Sequence, residues 1–139
     1  MSKEIRNRKR WPDAFHVVQE IGCSLPNVEA ATRYDGSPVL KVHGVFLAGM
    51  AAHASAEPDT LVVRAEFEER EGLLADAPEI YYVTDYYRRY PVVLVRLPLV
   101  EREVLRELLA ASWRMAAAKS RKGRTRPTKT PFDEGTAYA

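Results

Sequence analysis

The sequence predicts an α+β domain: one antiparallel sheet with helices packed on one of its faces. Apolar patterns change along the chain in the order helix, strands, helix, strands, helix. The connections between strand patterns are short, which favours hairpins, because parallel crossovers need a dozen or more intervening residues. At 139 residues, the chain is long enough for one domain with a packed core and no disulfide.

Three segments have helical periodicity. The first covers residues 11–26, where Pro12 suits the first helical position. The second covers residues 67–78 and has glutamates opposite its apolar face. The third covers residues 100–119 and sets an apolar-to-small face against a charged one. We therefore expect three helices to supply the layer that covers the sheet.

Strand patterns fill most of the stretches between these helices: residues 30–34, 39–50, 60–67, 80–84 and 92–97. Within 39–50, Leu40 and Val42 are predicted on one face. Lys41 and His43 alternate with them on the other face. Gly44 interrupts this pattern and marks either a turn or a bulge.

Charge is distributed unevenly along the chain. Residues 1–10 carry a net charge of +4 and residues 119–139 another +4, so the remaining body carries −6 within a total of +2. We expect a basic arm at 1–10, a single domain at 11–119 and a basic, flexible tail at 120–139. Such ends suit contact with polyanions, or they act as solvated segments that keep the chain dissolved.

The remaining composition indicates a cytoplasmic protein. The first residues lack the apolar segment of a secretory signal, and no apolar run approaches the ~20 residues needed to span a bilayer. Cys23 stands alone, so it forms no internal disulfide, and we expect it to be a small buried residue.

The sequence contains little that resembles a known arrangement of catalytic residues. His16 and Cys23 lie too far apart along one helix for a proton relay. The three histidines show no metal-ligand spacing with cysteines or carboxylates. We therefore expect a protein that is not an enzyme, with no metal and no cofactor.

Three stretches together resemble the MmcQ/YjbR-like family. They read "SLPNVEAATRYDGSPVLKVHGVFLAGM", "FEEREGLLADAPEIYYVTDYYRRYPVVLVRL" and "LRELLAASWRMAAAK", and the likeness covers roughly residues 13–119. The resemblance implies a compact fold similar to secretion-chaperone-like folds. Family members are often labelled DNA-binding, and their physiological role is generally unassigned. The commoner family pattern has "NK-HW" where this chain has "TDYYRRY", so no contact residue is carried over.

The stretch "YYVTDYYRRYPVVLVRL" at 81–97 concentrates five of the seven tyrosines. Aromatic rings beside arginines suit a platform for single-stranded nucleic acid, where bases stack and phosphates are neutralised. The same residue types anchor protein interfaces. A third interpretation is that the rings cap the core. We expect Arg88, Arg89 and Tyr87 to form the exposed part of this stretch.

A nucleic-acid partner, such as DNA, is the leading hypothesis. The contacts it assigns to the body are Lys41, Tyr86, Tyr87, Arg88 and Arg89. Those it assigns to the tail are Lys119, Arg121, Lys122, Arg124 and Arg126. The alternative is a protein-interaction module or homodimer that uses the tyrosine-rich hairpin or a sheet edge. A small-molecule site between sheet and helices is a third possibility that no residue specifies.

A basic patch on the sheet is a further possibility. Arg33 and Arg64 lie on strands predicted to neighbour Lys41 and His43. We expect a solvated strand face here, because binding a duplex backbone would require several clustered cations.

Overall fold

The computed structural model describes residues 14–122, and side chains as far as residue 119. The elements are α1 (14–22), β1 (Val28–Thr32), β2 (Pro38–Val42), β3 (Val45–Met50), β4 (Thr60–Arg64), α2 (Phe67–Asp76), β5 (Tyr81–Tyr82), α3 (Asp85–Arg88), β6 (Val92–Arg96) and α4 (Arg102–Lys122). A short 3-10 helix, Leu97–Leu99, precedes α4.

The strands form one sheet in the order β1-β2-β3-β4-β6-β5, and every neighbouring pair is antiparallel. This confirms the predicted α+β class. His43 and Gly44 join β2 to β3 with φ angles of +50° and +79°. These left-handed values are typical of a two-residue hairpin turn. Gly44 is therefore a turn residue, and the register shift lies between Leu40 and Lys41.

One face of the sheet, called the first face, supports the larger core. It carries Leu40, Leu61 and Val93, and the helices α1 and α4 pack on it. From α4, Leu105 and Leu109 are buried against the strands. Burying each such leucine contributes about 1.5–3 kcal/mol. This layer matches the predicted role of the first and last helices.

The opposite face, called the second face, is also covered. It carries Phe46, Val62 and Leu94, which pack with the buried ring of Tyr87 from α3. The segment 51–59 and the α3 turn supply the other contacts. The sequence pattern did not indicate this second core, because its apolar residues are spread over a loop and a one-turn helix.

Two local expectations differ from the structure. The strand predicted over 80–84 shortens to Tyr81–Tyr82, because Thr84 caps α3 by accepting a hydrogen bond from the Tyr87 N–H at 3.4 Å. Cys23 is exposed, so the expectation of a buried thiol was wrong. Helix α1 ends at residue 22, which places Cys23 in the turn that follows.

Candidate functional site

Tyr87 organises the second face from within. Its side chain is 0% exposed, and its ring meets the edge of Tyr86 with 4.9 Å between centroids. The backbone N–H of His53 donates to the Tyr87 hydroxyl at 3.3 Å. The prediction that Tyr87 is an exposed contact residue was therefore wrong: its ring fills the space under α3.

His53 and Tyr86 form a stacked pair above this core. Their ring centroids are 3.6 Å apart and their planes differ by 9°. The backbone N–H of Ser55 donates to His53 Nδ1 at 3.1 Å, so the proton of the neutral ring lies on Nε2. Burial lowers the pKa of His53 and raises that of Tyr86. Both rings are half-buried, so part of the pair faces solvent.

Ser55 links this pair to α3. Its hydroxyl lies 2.9 Å from His53 Nδ1 and 2.9 Å from Thr84 Oγ1. A serine beside a histidine can become a nucleophile when a third group orients the ring. Within residues 14–119, no carboxylate is hydrogen-bonded to His53, and both hydrogen bonds between Ser55 and His53 reach the same Nδ1. The contacts therefore describe a local turn that fastens the segment 51–59 to α3.

A second set of contacts joins the segment 51–59 to strands β5 and β6 at one edge of the sheet. Arg96 makes two hydrogen bonds of 2.9 Å to the Glu57 carboxylate and lies 4.3 Å from the Tyr82 ring centroid. The Glu57 N–H donates to the Tyr82 hydroxyl at 2.8 Å. The hydrogen bond from Arg96 lowers the pKa of Glu57, and the same bond raises that of Arg96.

Three arginines are buried beside these rings. Arg33 is 8% exposed, and Arg64 and Arg70 are each 4% exposed. Arg33 Nη1 donates to Ser37 Oγ at 2.7 Å and to the Met50 carbonyl at 2.8 Å. Arg33, Arg64 and Lys41 each adjoin Phe46, so the predicted neighbourhood exists. The expectation of a solvated face was wrong for the two arginines, because both are buried.

Close packing at Gly49 makes the position of Arg33 possible. A Cβ atom on Gly49 would lie 2.7 Å from Arg33 Nη2 and 3.1 Å from the Pro38 carbonyl oxygen. Only a residue without a side chain leaves room for the guanidinium group there.

The cations form a row along one end of the sheet. Lys41 lies opposite Phe46 in the β2–β3 register, and Arg64 Nε donates to the Phe46 carbonyl at 2.7 Å. Arg64 in turn lies opposite Val92, whose carbonyl accepts a hydrogen bond from Arg70 Nη1 at 3.2 Å. We call Lys41, Arg64 and Arg70, together with Arg88, which ends α3 close to the Arg70–Tyr90 contact, the cation row.

The predicted contact residues divide between two parts of the molecule. Lys41 and Tyr86 are half-buried on the second face, where Arg88 and Arg89 are exposed at the end of α3. Lys41 also lies opposite Glu29 on β1, which partly offsets its charge.

The predicted tail contacts are separate from this surface. Lys119 is half-buried near the end of α4, which packs on the first face. Arg121 and Lys122 lie in the last turn of α4. Arg124 and Arg126, like the predicted arm at 1–10, lie outside the described residues.

Sequence reasoning missed two residues of this site. His53 lies in a segment without periodicity, "AAHASAEPD", so nothing indicated its stacking partner. Arg70 lies among glutamates on a helix that reads as solvated. Its proximity to β6 depends on tertiary packing, which no local pattern predicts.

The chain also carries a family signature. The model of the YjbR family matches residues 23–115. The chain belongs to this family. The match confirms the resemblance seen in the sequence, and it includes all six described strands and thus both faces of the sheet.

Similar curated proteins come from mycobacteria. Uncharacterised proteins of Mycobacterium bovis and Mycobacterium tuberculosis are 40% identical to this YjbR-family chain over 70 residues. The aligned part is 48% of this chain and 54% of those proteins, so the chain spans about half the length of the curated relatives it matches. No solved structure matches the chain significantly. None of the described helices is both long and apolar enough to cross a bilayer.

Proposed function

We propose that the protein is a non-enzymatic nucleic-acid-binding protein that takes single strands on the second face. The observation that carries this proposal is that Tyr86, Arg88 and Arg89 share one surface with the His53 ring and the cation row. Partly exposed rings offer stacking surfaces to bases of any sequence, and cations beside them neutralise the phosphates.

Buried arginines support this assignment through their electrostatics. Arg64 and Arg70 are held by backbone carbonyls, so their positive charges stay in place on the second face. Fixed charges in a partly desolvated surface attract anions more strongly than mobile surface lysines do. Because the body of the chain is acidic overall, we expect this attraction to be confined to the second face and to weaken with salt.

The basic ends complete the proposal. Lys119 and the predicted tail contacts Arg121, Lys122, Arg124 and Arg126 add attraction without sequence preference. The single free cysteine fits the reducing cytoplasm, which is where we place this binding.

A homodimer is a second candidate function, favoured by the edge strand β1. Four of its five residues are exposed, and it pairs with β2 alone among the described strands. An open strand edge can pair with another chain. A homodimer that used the tyrosine-rich hairpin could not contact its partner through Tyr87, because this side chain is buried.

The proposal is tested by fluorescence anisotropy with a labelled single strand and a labelled duplex. Full-length protein is compared with Arg88→Glu/Arg89→Glu at low and at physiological salt. The matched control is Arg102→Glu/Arg106→Glu on α4, which reverses the same amount of charge on two ion-paired arginines away from the second face.

We expect the α3 variant to bind the single strand at least about tenfold more weakly, since each charge-assisted contact contributes about 1.5–3 kcal/mol. The control should bind within about twofold of wild type, because distant charges are screened. Equal losses in both variants, or no binding by wild type at low salt, would contradict the proposal. A salt-insensitive increase in mass with protein concentration would favour the homodimer.

A further inference from the structure

Arg70 is a buried cation without a close counter-ion. Its Nη1 is held by the carbonyls of Tyr90 at 3.0 Å and Val92 at 3.2 Å. Its Nε is buried and has no hydrogen-bond partner among the described residues. No carboxylate between residues 14 and 119 lies within ion-pair distance of it. A buried guanidinium in this state is costly, because ionised groups removed from water need a partner of opposite charge.

Arg88 brings a second positive charge near Arg70, because it ends α3 two residues before Tyr90, whose carbonyl binds Arg70. Burial is the main reason that the pKa of Arg70 is lowered; the charge of Glu71 opposes this effect, and the charge of Arg88 adds to it to a smaller extent. The described ion pair of Arg88 is a 3.8 Å contact with exposed Asp85. Pairs of this kind contribute little and exchange readily with solvent. Arg70 therefore has Arg88 near it and no carboxylate within ion-pair distance among the described residues, since Glu71 acts on it only from farther away.

Phe67 provides an aromatic surface at the same point. Its ring centroid lies 4.9 Å from the Arg70 guanidinium, and its side chain is 48% exposed. The cation–π contact helps to fix the plane of the guanidinium group. The exposed part of the ring remains available to an apolar or aromatic group attached to the bound anion.

We propose that Arg70 and Arg88 form a site for a phosphate group, with Phe67 beside it contacting the base or sugar of a nucleotide. Arginine suits this role because its planar fork gives directed bonds to phosphate oxygens. The inference rests on the proposed function and deepens it, since it names where one phosphate of the strand binds. The phosphate is either a terminal monoester or a backbone diester.

Inorganic phosphate is the first probe, with chloride holding the ionic strength constant. The readout is the Nε–Hε resonance of Arg70 in a proton–nitrogen spectrum of the full chain, compared among wild type, Arg88→Gln and Arg106→Gln. The control is matched: Arg106 contacts Glu103 at 3.7 Å across one helical turn, as Arg88 contacts Asp85 at 3.8 Å.

The expected result is a saturable shift at Arg70 whose midpoint rises about tenfold in Arg88→Gln, the usual effect of losing one charge-assisted bond. Arg106→Gln should leave the midpoint unchanged. A wild-type spectrum in which Arg70 does not respond would overturn the site. Equal loss in both variants would also overturn it, because the response would then reflect overall charge.

Oligonucleotides separate this inference from the function on which it rests. If phosphate saturates Arg70 while neither a 5′-phosphorylated nor a 5′-hydroxyl strand binds, the site stands and nucleic-acid binding fails. If strands bind while phosphate leaves Arg70 unchanged, the function stands and this site is wrong. A preference for the phosphorylated strand that disappears in Arg88→Gln supports a monoester site, and equal binding of both strands at Arg70 supports a diester site.

Discussion

The two faces of the sheet are both buried, but by different chemistry. The first face meets α1 and α4 through aliphatic side chains such as Leu61 and Leu109. The second face meets α3 through tyrosines and carries arginines such as Arg64 whose charges are held by backbone carbonyls. Aliphatic burial stabilises without requiring a partner, whereas each buried charge has to be compensated.

This difference indicates that the two faces of the sheet have different roles. The first face has the larger apolar core, so we expect it to supply most of the stability. The second face keeps polar groups that an optimally stable fold would replace, which is typical of surfaces retained for recognition.

The largest effect should come from Tyr87. We expect Tyr87→Ala to lower the free energy of unfolding by about 3–5 kcal/mol, comparable to a core phenylalanine truncation. Tyr34→Ala is the control: Tyr34 is 69% exposed, so its loss should cost within about 0.5 kcal/mol. Urea unfolding at equilibrium measures both, and similar small values for the two would contradict the second core.

A glycine pair tests the packing around Arg33. Gly49→Ala should destabilise by about 1–3 kcal/mol, because the new methyl group would press on Arg33 and on the Pro38 carbonyl. Gly72→Ala should stabilise by about 0.5–1 kcal/mol, because Gly72 lies in α2 with no atom within 4 Å of the added methyl. Thermal unfolding would reveal the opposite signs, and a neutral Gly49→Ala would show that Arg33 moves freely.

The Arg96–Glu57 pair should have a smaller effect. Glu57→Gln should cost about 0.2–1 kcal/mol, since the pair is partly solvated, and the cost should decrease in high salt. The lowered pKa of Glu57 means that this stability is present above the ordinary value of 4.5 and is lost as the pH falls through the folded value.

Glu103→Gln, which breaks a more exposed pair on α4, is the control for Glu57→Gln. Both variants are compared by urea unfolding at low and high salt. If both variants lose the same free energy of unfolding, the bidentate Arg96–Glu57 ion pair contributes no more to stability than an ordinary surface ion pair.

Replacing His53 should have the smallest effect on the free energy of unfolding, and the effect should be visible in its pH dependence. Burial lowers the pKa of His53, so the unfolded chain binds more protons between the folded value and the ordinary 6.5. The contribution of His53 to stability is therefore present above pH 6.5 and is lost as the pH falls through the folded value.

The matched pair for this effect is His53→Gln and His16→Gln, because His16 is exposed on α1. Urea midpoints across this range should show a weaker pH dependence in His53→Gln and an unchanged one in His16→Gln. An unaltered pH dependence in His53→Gln would contradict the assignment.

Local patterns predicted most of the first face. The apolar stripe of α4 and the alternation of Leu40 and Val42 follow periods that a single sequence displays directly. The hairpin at His43 and Gly44 was also accessible, because a glycine interrupted an otherwise continuous strand pattern.

The second face was less accessible for a physical reason. Tyr87 is buried because α3 folds back over β6, a contact between segments whose own patterns read as a turn and a strand. Arg33, Arg64 and Arg70 are buried by packing that satisfies them with carbonyls remote in sequence. These hydrogen bonds form only in the tertiary structure. The sequence shows only that the residues are charged, which favoured the prediction that they are exposed to solvent.

The central claim is that the second face binds nucleic acid, and a proton–nitrogen titration of the full chain with an unlabelled single strand tests it most directly. The account predicts that shifts within residues 14–118 are confined to segments 51–59 and 83–92, Lys41, and the Nε–Hε groups of Arg64 and Arg70, with further shifts at the tail contacts from Lys119 onward. Shifts within residues 14–118 that map instead to α1 and α4, or the absence of any shift at low salt, would contradict it.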